Sequence, residues 1–365
     1  MNHFVHSMPL SPALRDELRS RIIRLHSAES PEFESVAMAV FHYQAASNPV
    51  YRRFIEALGV EPERVRSTVQ IPFLPISFFK HHLVLTAPAS AAEAALVFES
   101  SGTTGSATSR HYVSDPALYD TISIRTFEHR YGPLDGFHIL ALLPSYLERN
   151  NSSLVYMVQR FIEKTGSGRS GFFLKNTDDL TATLRHLAEH PDGRRILLIG
   201  VTFALLDWAE SGTDLSFLGA LPQLTVMETG GMKGRRRELL REEVHDILTR
   251  RLGVAAIHSE YGMTELLSQA YAGEGGIFRM SPTLRILLRD VNDPFEMYFP
   301  SGPGNSEGTA RRTGGINVID LGNLDSCSFI ETQDLGQYEA GRPDAFRVIG
   351  RFDNSDIRGC NLLVL

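Results

Sequence analysis

Cysteine is scarce in this chain of 365 residues, which contains only Cys327 and Cys360. Two cysteines cannot form a disulfide framework, and their spacing matches no metal site. Long apolar runs are also missing, since none approaches the ~20 residues that a membrane-spanning helix requires. The N-terminal segment MNHFVHSMPLSPALRDEL carries acids and lacks the apolar stretch of a secretory signal. These absences predict a cytoplasmic protein without a membrane span.

A surplus of positive charge is missing too. The formal net charge is -7 at pH 7, which argues against a nucleic-acid-binding surface. With 42% hydrophobic and 22% charged residues, the composition is that of an ordinary globular protein. Because the chain is longer than a single hydrophobic core usually supports, we expect more than one packed subdomain.

What is present is a pattern of helices followed by alternating strands and helices. Residues 11–58 place apolar side chains at helical spacing. The prolines of residues 71–75 exclude a helix there. Apolar runs such as FHILALLPS, RRILLIGVTFAL and VAAIHSEYG then alternate with helical patterns, which predicts buried strands of a largely parallel α/β sheet. From about residue 277, short β-prone segments separated by turn residues predict a smaller β subdomain.

The most informative stretch is a loop rich in hydroxyl groups and glycine. It contains Ser100, Ser101, Gly102, Thr103, Thr104 and Gly105. Glycines let the backbone approach a ligand, and the amides and hydroxyls can bind phosphate oxygens. The loop is not a kinase-type P-loop, because the ending GK[ST] is absent. A flexible surface turn is the alternative interpretation.

A second cluster, residues 260–265, follows an apolar strand. In parallel α/β sheets, ligands bind at the carboxyl ends of the strands. Tyr261 can stack on a base, Thr264 can donate to a phosphate, and Glu265 can hold Mg²⁺ through hard carboxylate oxygens. A turn with a solvated acid is the alternative.

Two further signals lie at the ends of predicted strands. Gly230 and Gly231 follow one strand and can let a flat ligand lie against the backbone, or simply turn the chain. Asp334 can accept hydrogen bonds from both ribose hydroxyls, and Arg351 can reinforce that contact or reach a phosphate. Both charged residues could instead form an ordinary surface ion pair.

The order of these motifs carries more information than any one of them. SSGTTG, GG, YGxTE, DLG and GRxD follow one another over about residues 71–359, and this order resembles the adenylate-forming superfamily of acyl-CoA synthetases, adenylation domains and luciferases. The resemblance implies that the hydroxyl-rich loop binds the ATP phosphates. Among the other residues, it assigns the adenine side to Gly230, Gly231, Tyr261 and Gly262, the α-phosphate to Thr264, Mg²⁺ to Glu265, and the ribose to Asp334 and Arg351.

The chain looks closer still to LuxE-type acyl-protein synthetases. The segments that carry this likeness are IPFLPISFFK at 71–80, LLPSYLERNNSSLVYM at 142–157 and ETGGMKG at 228–234. The resemblance implies that a cysteine near the C-terminus, here Cys360, accepts the acyl group from AMP and passes it to a partner protein, a reductase or carrier. Cys327 lies among β-prone residues, and we expect it to be a small buried apolar residue.

The resemblance also predicts how the chain is divided. Residues 1–350 would form the adenylate-forming domain, and residues 351–365 a hinge remnant and tail. We expect the C-terminal lid domain of the superfamily, with its catalytic lysine, to be absent. Lys80, Lys233 and Arg235 are the candidates for supplying its charge.

The sequence therefore predicts a ligase that uses ATP and Mg²⁺ to activate a carboxylic acid, of the fatty type, as acyl-AMP. Cys360, Thr264 and Glu265 are its predicted catalytic residues. One alternative is an acyl- or aryl-CoA ligase with a shortened C-terminus. Another is a nucleotide-binding protein without catalysis that acts as an interaction partner.

Overall fold

A computed structural model describes most of the chain. The described residues are 12–87, 91–100, 108–144, 151–174, 176–221, 223–230, 239–299 and 312–352. The helices among them are α1 (Pro12–Arg24), α2 (Pro31–Ser47), α3 (Pro49–Ala57), α4 (Phe78–His81), α5 (Pro116–Tyr131), α6 (Ser153–Thr165), α7 (Thr177–Glu189), α8 (Thr202–Ala209) and α9 (Arg241–Leu252). Among the described residues, no helix is both long and apolar enough to cross a bilayer.

Local sequence explains where several helices begin. α2 and α5 both have proline at their first position, where a missing backbone N–H costs nothing. The side chains of Ser30, Asp115 and Ser152 cap α2, α5 and α6 by accepting a hydrogen bond from a backbone N–H of the first turn. The predicted helices of residues 11–58 are confirmed as α1, α2 and α3.

The strands are mostly short. They are β1 (Leu74–Pro75), β2 (Leu96–Glu99), β3 (Arg110–Val113), β4 (Phe137–Leu142), β5 (Gly171–Phe172), β6 (Arg195–Val201), β7 (Leu224–Thr229), β8 (Ile257–Tyr261), β9 (Ala270–Ala272), β10 (Phe278–Arg279), β11 (Leu284–Arg289), β12 (Met297–Tyr298), β13 (Gly314–Asp320), β14 (Phe329–Glu339) and β15 (Arg342–Arg351). β2 and β3 form an antiparallel pair of their own.

The other strands join one mixed sheet in the order β12-β11-β13-β14-β15-β10-β9-β8-β7-β6-β4-β5. The largely parallel arrangement predicted from the sequence holds for β4 to β8. From β9 onward, neighbours along this order are antiparallel, and β1 adds to β14 in parallel. Strands linked by short connections pair antiparallel, because a parallel neighbour needs a long crossover. The predicted β-rich region from about residue 277 therefore continues the same sheet by hydrogen bonding.

Two hydrophobic clusters support the sheet. In the first, Phe41 and Tyr51 from α2 and α3 pack on Phe329 of β14, with ring centroids 5.9 and 6.1 Å away. In the second, Phe127 of α5 packs against Phe137 of β4 and Phe161 of α6, at 5.4 and 5.1 Å. The N-terminal helices thus cover the antiparallel strands, while α5 to α9 pack around the parallel ones.

Candidate functional site

The hydroxyl-rich loop is closed at its base by two serines. The Ser100 backbone N–H donates to the Ser109 carbonyl at 3.1 Å, and the Ser109 N–H donates to the Ser100 hydroxyl at 2.9 Å. β2 and β3 continue the pairing on either side, with Glu99 opposite Arg110. The two strands on either side of the predicted hydroxyl-rich loop are therefore held together at Ser100 and Ser109.

Several predicted residues lie outside the described part of the chain. They are Ser101, Gly102, Thr103, Thr104, Gly105, Gly231, Lys233, Arg235 and Cys360. Their roles stay predictions. Gly230 is described and has φ of +77°, a backbone conformation that glycine adopts without strain.

Three of the predicted residues meet in one hydrogen-bonded cluster. The Tyr261 hydroxyl at the end of β8 donates to Asp334 Oδ2 of β14 at 2.9 Å. Arg351 Nε of β15 lies 3.2 Å from the other carboxylate oxygen of Asp334. β14 and β15 are paired so that Asp334 and Arg351 stand directly opposite each other. Motifs separated by many residues in the chain are thus brought into contact.

Tyr261 is mostly enclosed by aromatic side chains. Its exposed fraction is 6%, and its ring packs near Phe278 and Phe346, each with a centroid distance of 5.8 Å. Burial, together with the neighbouring Asp334 carboxylate, raises the pKa of Tyr261 well above its usual range. The hydroxyl therefore stays protonated and donates. Stacking of this ring on a base stays a prediction.

Glu265 lies in the same region and is 6% exposed. Burial raises the pKa of its carboxyl, while a hydrogen bond from the Ser109 side chain and the positive charges of Arg351 and Lys80 oppose that rise. Glu265 makes no ion pair within 4.0 Å among the described residues. A hard cation would hold this carboxylate in its ionised form, so the residue fits the predicted Mg²⁺ ligand. The structure describes no group of three or more His, Cys, Asp or Glu residues arranged around a metal ion within those ranges.

Two residues that the sequence did not indicate hold the turn carrying Thr264 and Glu265. Nδ1 of His111, on β3, lies 2.9 Å from the Thr264 carbonyl, and Asn323 Nδ2 donates to the Glu265 carbonyl at 2.8 Å. Burial lowers the pKa of His111 to about 4, so the ring is neutral and Nδ1 carries the donated proton. The only sequence signal was the position of His111, in the strand directly after the hydroxyl-rich loop.

Gly262 has a steric reason to be glycine. A Cβ built at this position would lie 2.3 Å from Glu260 Oε1 and 3.6 Å from Gln269 Cγ. Any side chain would displace the Glu260 carboxylate, which is buried beside Thr229. The predicted YGxTE motif therefore needs glycine here for packing, whatever its part in nucleotide binding.

Glu228 sits in a polar cluster under the Gly230 turn. Its carboxylate accepts a hydrogen bond from Thr202 Oγ1 at 2.8 Å and lies 3.3 Å from Arg241 Nε and 3.7 Å from His245 Nε2. Although burial opposes it, these partners hold the pKa of Glu228 below its usual range. The Thr202 hydroxyl is also 2.9 Å from the carbonyl of Gly230, so the cluster supports that turn.

The next strand carries a second buried carboxyl, Glu260. Its partner is the Thr229 hydroxyl, which lies opposite it across the β7–β8 pairing. Burial raises the pKa of Glu260 to about 7. Sequence reasoning assigned no function to Glu228 or Glu260, because nothing local reveals which buried acids gain cationic partners.

Cys327 is fully buried, as the sequence predicted. Its exposed fraction is 0%, and burial raises the pKa of its thiol to about 12. The reactive thiolate is therefore not accessible at this position.

No protein-family model and no curated protein sequence matches this chain. Among solved structures, it is similar to a 2-hydroxyisobutyryl-CoA ligase in complex with 2-HIB-AMP and CoA, at a TM-score of 0.63 and 14% identity. That match covers 94% of this chain and 70% of the ligase.

Two other similar structures match less closely. An acyl-CoA synthetase from Brucella canis gives a TM-score of 0.45 at 16% identity, covering 73% of this chain and 46% of the synthetase. An amide bond synthetase from Marinactinospora thermotolerans gives 0.43 at 14% identity, covering 86% and 62%. The chain thus spans less than two thirds of either protein. At these identities the likeness is one of fold: over most of its length, the chain folds as the 2-hydroxyisobutyryl-CoA ligase does.

Proposed function

We propose that the chain is an adenylate-forming enzyme, which uses MgATP to activate a carboxylic acid as its acyl-AMP. The observation that carries the proposal is the cluster of Tyr261, Asp334 and Arg351, with Glu265 in the same charged environment. Residues from three strands meet there at the carboxyl end of the parallel strand β8. In α/β sheets, this is the edge where ligands bind.

The nucleoside would be held by the aromatic and carboxylate groups of the cluster. Asp334 accepts from the ribose hydroxyls. Burial raises the pKa of this carboxyl, and the positive charge of Arg351 opposes that rise. Gly230 and Gly231 leave room for the adenine, with Tyr261 and Gly262 on its other side. Hydrogen bonding to Tyr261 keeps the Asp334 carboxylate oriented before the nucleotide arrives.

The phosphates would lie between the hydroxyl-rich loop and the turn after β8. Ser101, Thr103 and Thr104 donate to the phosphate oxygens, and the glycines Gly102 and Gly105 let the backbone approach them. Ser100 and Ser109 hold the base of that loop, and Ser109 also reaches Glu265. Glu265 would hold Mg²⁺, which supplies positive charge to the phosphate oxygens when bound.

The chemistry needs positioning more than covalent help. A carboxylate oxygen of the acid attacks the α-phosphorus, a new O–P bond forms, and the bond to the bridging oxygen breaks as pyrophosphate leaves. Thr264 donates to an oxygen of the α-phosphate, where negative charge builds up. His111 and Asn323 fix the backbone of that turn, so Thr264 and Glu265 keep their positions during the reaction.

The second half of the proposal is transfer to a thiol. The Cys360 thiolate attacks the acyl carbon, a thioester forms, and AMP leaves with the bonding electrons. The acyl group then passes to a partner protein, a reductase or carrier. This half rests on the resemblance to LuxE-type acyl-protein synthetases, and on Cys327 being a buried thiol with its pKa raised to about 12.

Pyrophosphate–ATP exchange with a panel of carboxylic acids tests the first half. Exchange should depend on an acid, and Asp334→Asn should reduce kcat/KM by about 100-fold, because a charged ribose contact is lost. Asp179→Asn, at an exposed position of α7, is the matched control and should retain full exchange. No exchange with any acid would refute the proposal.

Labelling with a radioactive acid tests the second half. The wild-type chain should carry a label that hydroxylamine releases, and Cys360→Ser should abolish the label while exchange continues. Cys327→Ala is the control and should stay labelled. A label that survives Cys360→Ser would show that another group accepts the acyl chain.

A second candidate function, an acyl-CoA ligase, is favoured by the fold shared with 2-hydroxyisobutyryl-CoA ligase over 94% of this chain. Adding coenzyme A to the same reaction separates the two. Free acyl-CoA formed at the rate of AMP release supports the CoA ligase, whereas a protein-bound thioester supports acyl-protein transfer. Tight ATP binding without either product would support a non-catalytic nucleotide-binding protein.

A further inference from the structure

The segment that precedes Lys80 pairs with β14, the strand that carries Asp334. β1 pairs with β14 so that Pro75 is opposite Glu331, and the Ile76 N–H donates to the Glu331 carbonyl at 2.9 Å. This pairing places the segment just before α4 alongside the strand that carries Asp334. α4 begins at Phe78, so Lys80 follows the pairing after only a few residues.

The other side of α4 contacts His111, which holds the turn that carries Glu265. The ring of Phe79 packs edge-on to His111 at 5.6 Å, and His111 in turn holds the Thr264 carbonyl. Phe79 is 1% exposed, so this contact anchors the helix. The neighbouring residue, Lys80, is exposed. α4 therefore lies next to the histidine that holds the Thr264–Glu265 turn, and it carries Lys80 at an exposed position.

The acidic side chains around this turn need a positive charge beside them when a nucleotide binds. Glu265 and Asp334 are both mostly buried acids, and Arg351 is the cation paired with Asp334. Lys80 is the second cation whose charge acts on Glu265, and its side chain forms no ion pair or hydrogen bond with the described residues. A nucleotide brings several negative charges to this place, which two acids would repel. The ammonium group of a lysine offsets that repulsion and offers three donors.

We propose that the ammonium group of Lys80 binds the phosphate oxygens of the nucleotide beside Glu265, and that it stabilises the charge that builds up as pyrophosphate leaves. This inference rests on the proposed adenylate-forming function and selects one of the three residues considered for the charge of the lid lysine. The residue acts from the N-terminal part of the chain, through a helix that the sheet and His111 both anchor. A lysine suits this task, because it is a compact point charge with a flexible stem.

The test compares Lys80→Met, Lys80→Arg and the control Lys164→Met in pyrophosphate–ATP exchange. Lys164 lies in the last turn of α6 and is also exposed. Lys80→Met should reduce kcat/KM for ATP by about 100-fold, with most of the loss in kcat, because the charge matters most in the transition state. Lys80→Arg should restore activity to within about tenfold of wild type, since it keeps the charge. Lys164→Met should behave as wild type.

The KM for pyrophosphate in the exchange reaction separates a direct role from a merely structural one. Because the ammonium group of Lys80 would contact phosphate oxygens, Lys80→Met should raise this KM. Lys80→Arg should leave it near that of wild type, since it keeps the charge. If Lys80→Met also lowers the melting temperature, the same comparison is made with Lys80→Gln and Lys80→Arg at a temperature where all are folded.

Three results would overturn the inference. One is a Lys80→Met variant that keeps kcat/KM within about twofold of wild type. Another is an equal loss in Lys80→Met and Lys80→Arg with an unchanged KM for pyrophosphate, which would indicate packing. In both cases wild-type exchange remains, so the proposed function survives. If the wild-type chain neither exchanges pyrophosphate nor binds MgATP, the proposed function fails and this inference fails with it.

Discussion

Near the ends of β7 and β8, each face of the sheet carries one buried glutamate, and these two glutamates differ in pKa. Glu228 faces α9 with Thr202, Arg241 and His245 around it, and its pKa lies below the usual range. Glu260 points to the opposite face, where the Thr229 hydroxyl is its partner and its pKa is about 7. Successive side chains of a strand point to opposite faces of the sheet, so residues one position apart in the register meet different neighbours.

The comparison shows that burial alone does not determine the ionisation of an acid. Glu228 and Glu260 are 4% and 7% exposed, so both pay a similar desolvation cost. What separates them is the presence of cationic partners on one face and a single neutral donor on the other. The face with the cations is the one that supports the Gly230 turn through Thr202.

Glu228→Gln should have the largest effect. It removes the buried negative charge beside Arg241 and His245. Removing one partner of a buried ion pair costs about 3 kcal/mol of unfolding free energy. Urea unfolding near neutral pH measures the loss, with Asp179→Asn as the exposed control. A loss below about 0.5 kcal/mol would show that the cations are satisfied without Glu228.

The same variant has a defined pH dependence. The folded-state pKa of Glu228 is depressed, so its stabilisation is present above about pH 4.5 and is lost as the pH falls through the folded value. The difference in unfolding free energy between wild type and Glu228→Gln should therefore narrow on acidification. A difference that widens on acidification would show that the folded-state pKa of Glu228 is raised instead of lowered.

Glu260→Gln should act in the opposite direction and with a smaller effect. The folded-state pKa of Glu260 is raised from 4.5 to about 7, so ionisation destabilises the fold as the pH rises through that window. The variant should gain stability over wild type by about 2 kcal/mol between about pH 5 and about pH 8. Unfolding titrations across this range measure it. A constant difference would mean that Glu260 does not titrate there.

Thr202→Val should cost about 1 kcal/mol of unfolding free energy, because Glu228 and the Gly230 carbonyl both lose a hydroxyl partner. Thr202→Ser keeps the hydroxyl and is the control. If the Gly230 turn serves the nucleotide, Thr202→Val should also raise KM for ATP in exchange more than Thr202→Ser does. Equal behaviour of the two variants would remove the hydroxyl from the explanation.

Thr229→Val should have the smallest effect, below about 1 kcal/mol near pH 5, where Glu260 is mostly protonated. At higher pH the cost should grow, because the ionised carboxylate loses its donor and its pKa rises further. Thr229→Ser should match wild type throughout. A cost independent of pH would assign the loss to packing instead of to Glu260.

The sequence predicted the local elements of this fold well. Apolar side chains at helical spacing predicted α1, α2 and α3, and apolar runs predicted β4, β6, β7 and β8. These signals are local, since helix starts depend on the few residues that satisfy the first turn. The antiparallel extension from β9 onward was missed as part of one sheet, because strand order depends on contacts between distant residues.

The candidate site shows the same limit. The convergence of Tyr261, Asp334 and Arg351 agreed with the order of motifs in the chain. His111 and Asn323 could not be predicted, since each acts through one hydrogen bond to a backbone carbonyl far away in sequence. No periodicity or spacing marks such a pair, and only the register of the folded strands brings the atoms together.

The first helix forms an ion pair with a residue far along the chain. The Arg15 guanidinium forms ion pairs with both Asp115, at the start of α5, and Asp325, which is 310 residues further along. During synthesis this arginine leaves the ribosome 310 residues before Asp325, one of its acceptors. Final docking of α1 must therefore wait until Asp325 has been translated, and until then its apolar side, including Leu18 and Ile22, has no complete cover. A nascent chain stalled before Asp325 should consequently recruit chaperones at its N-terminal helix.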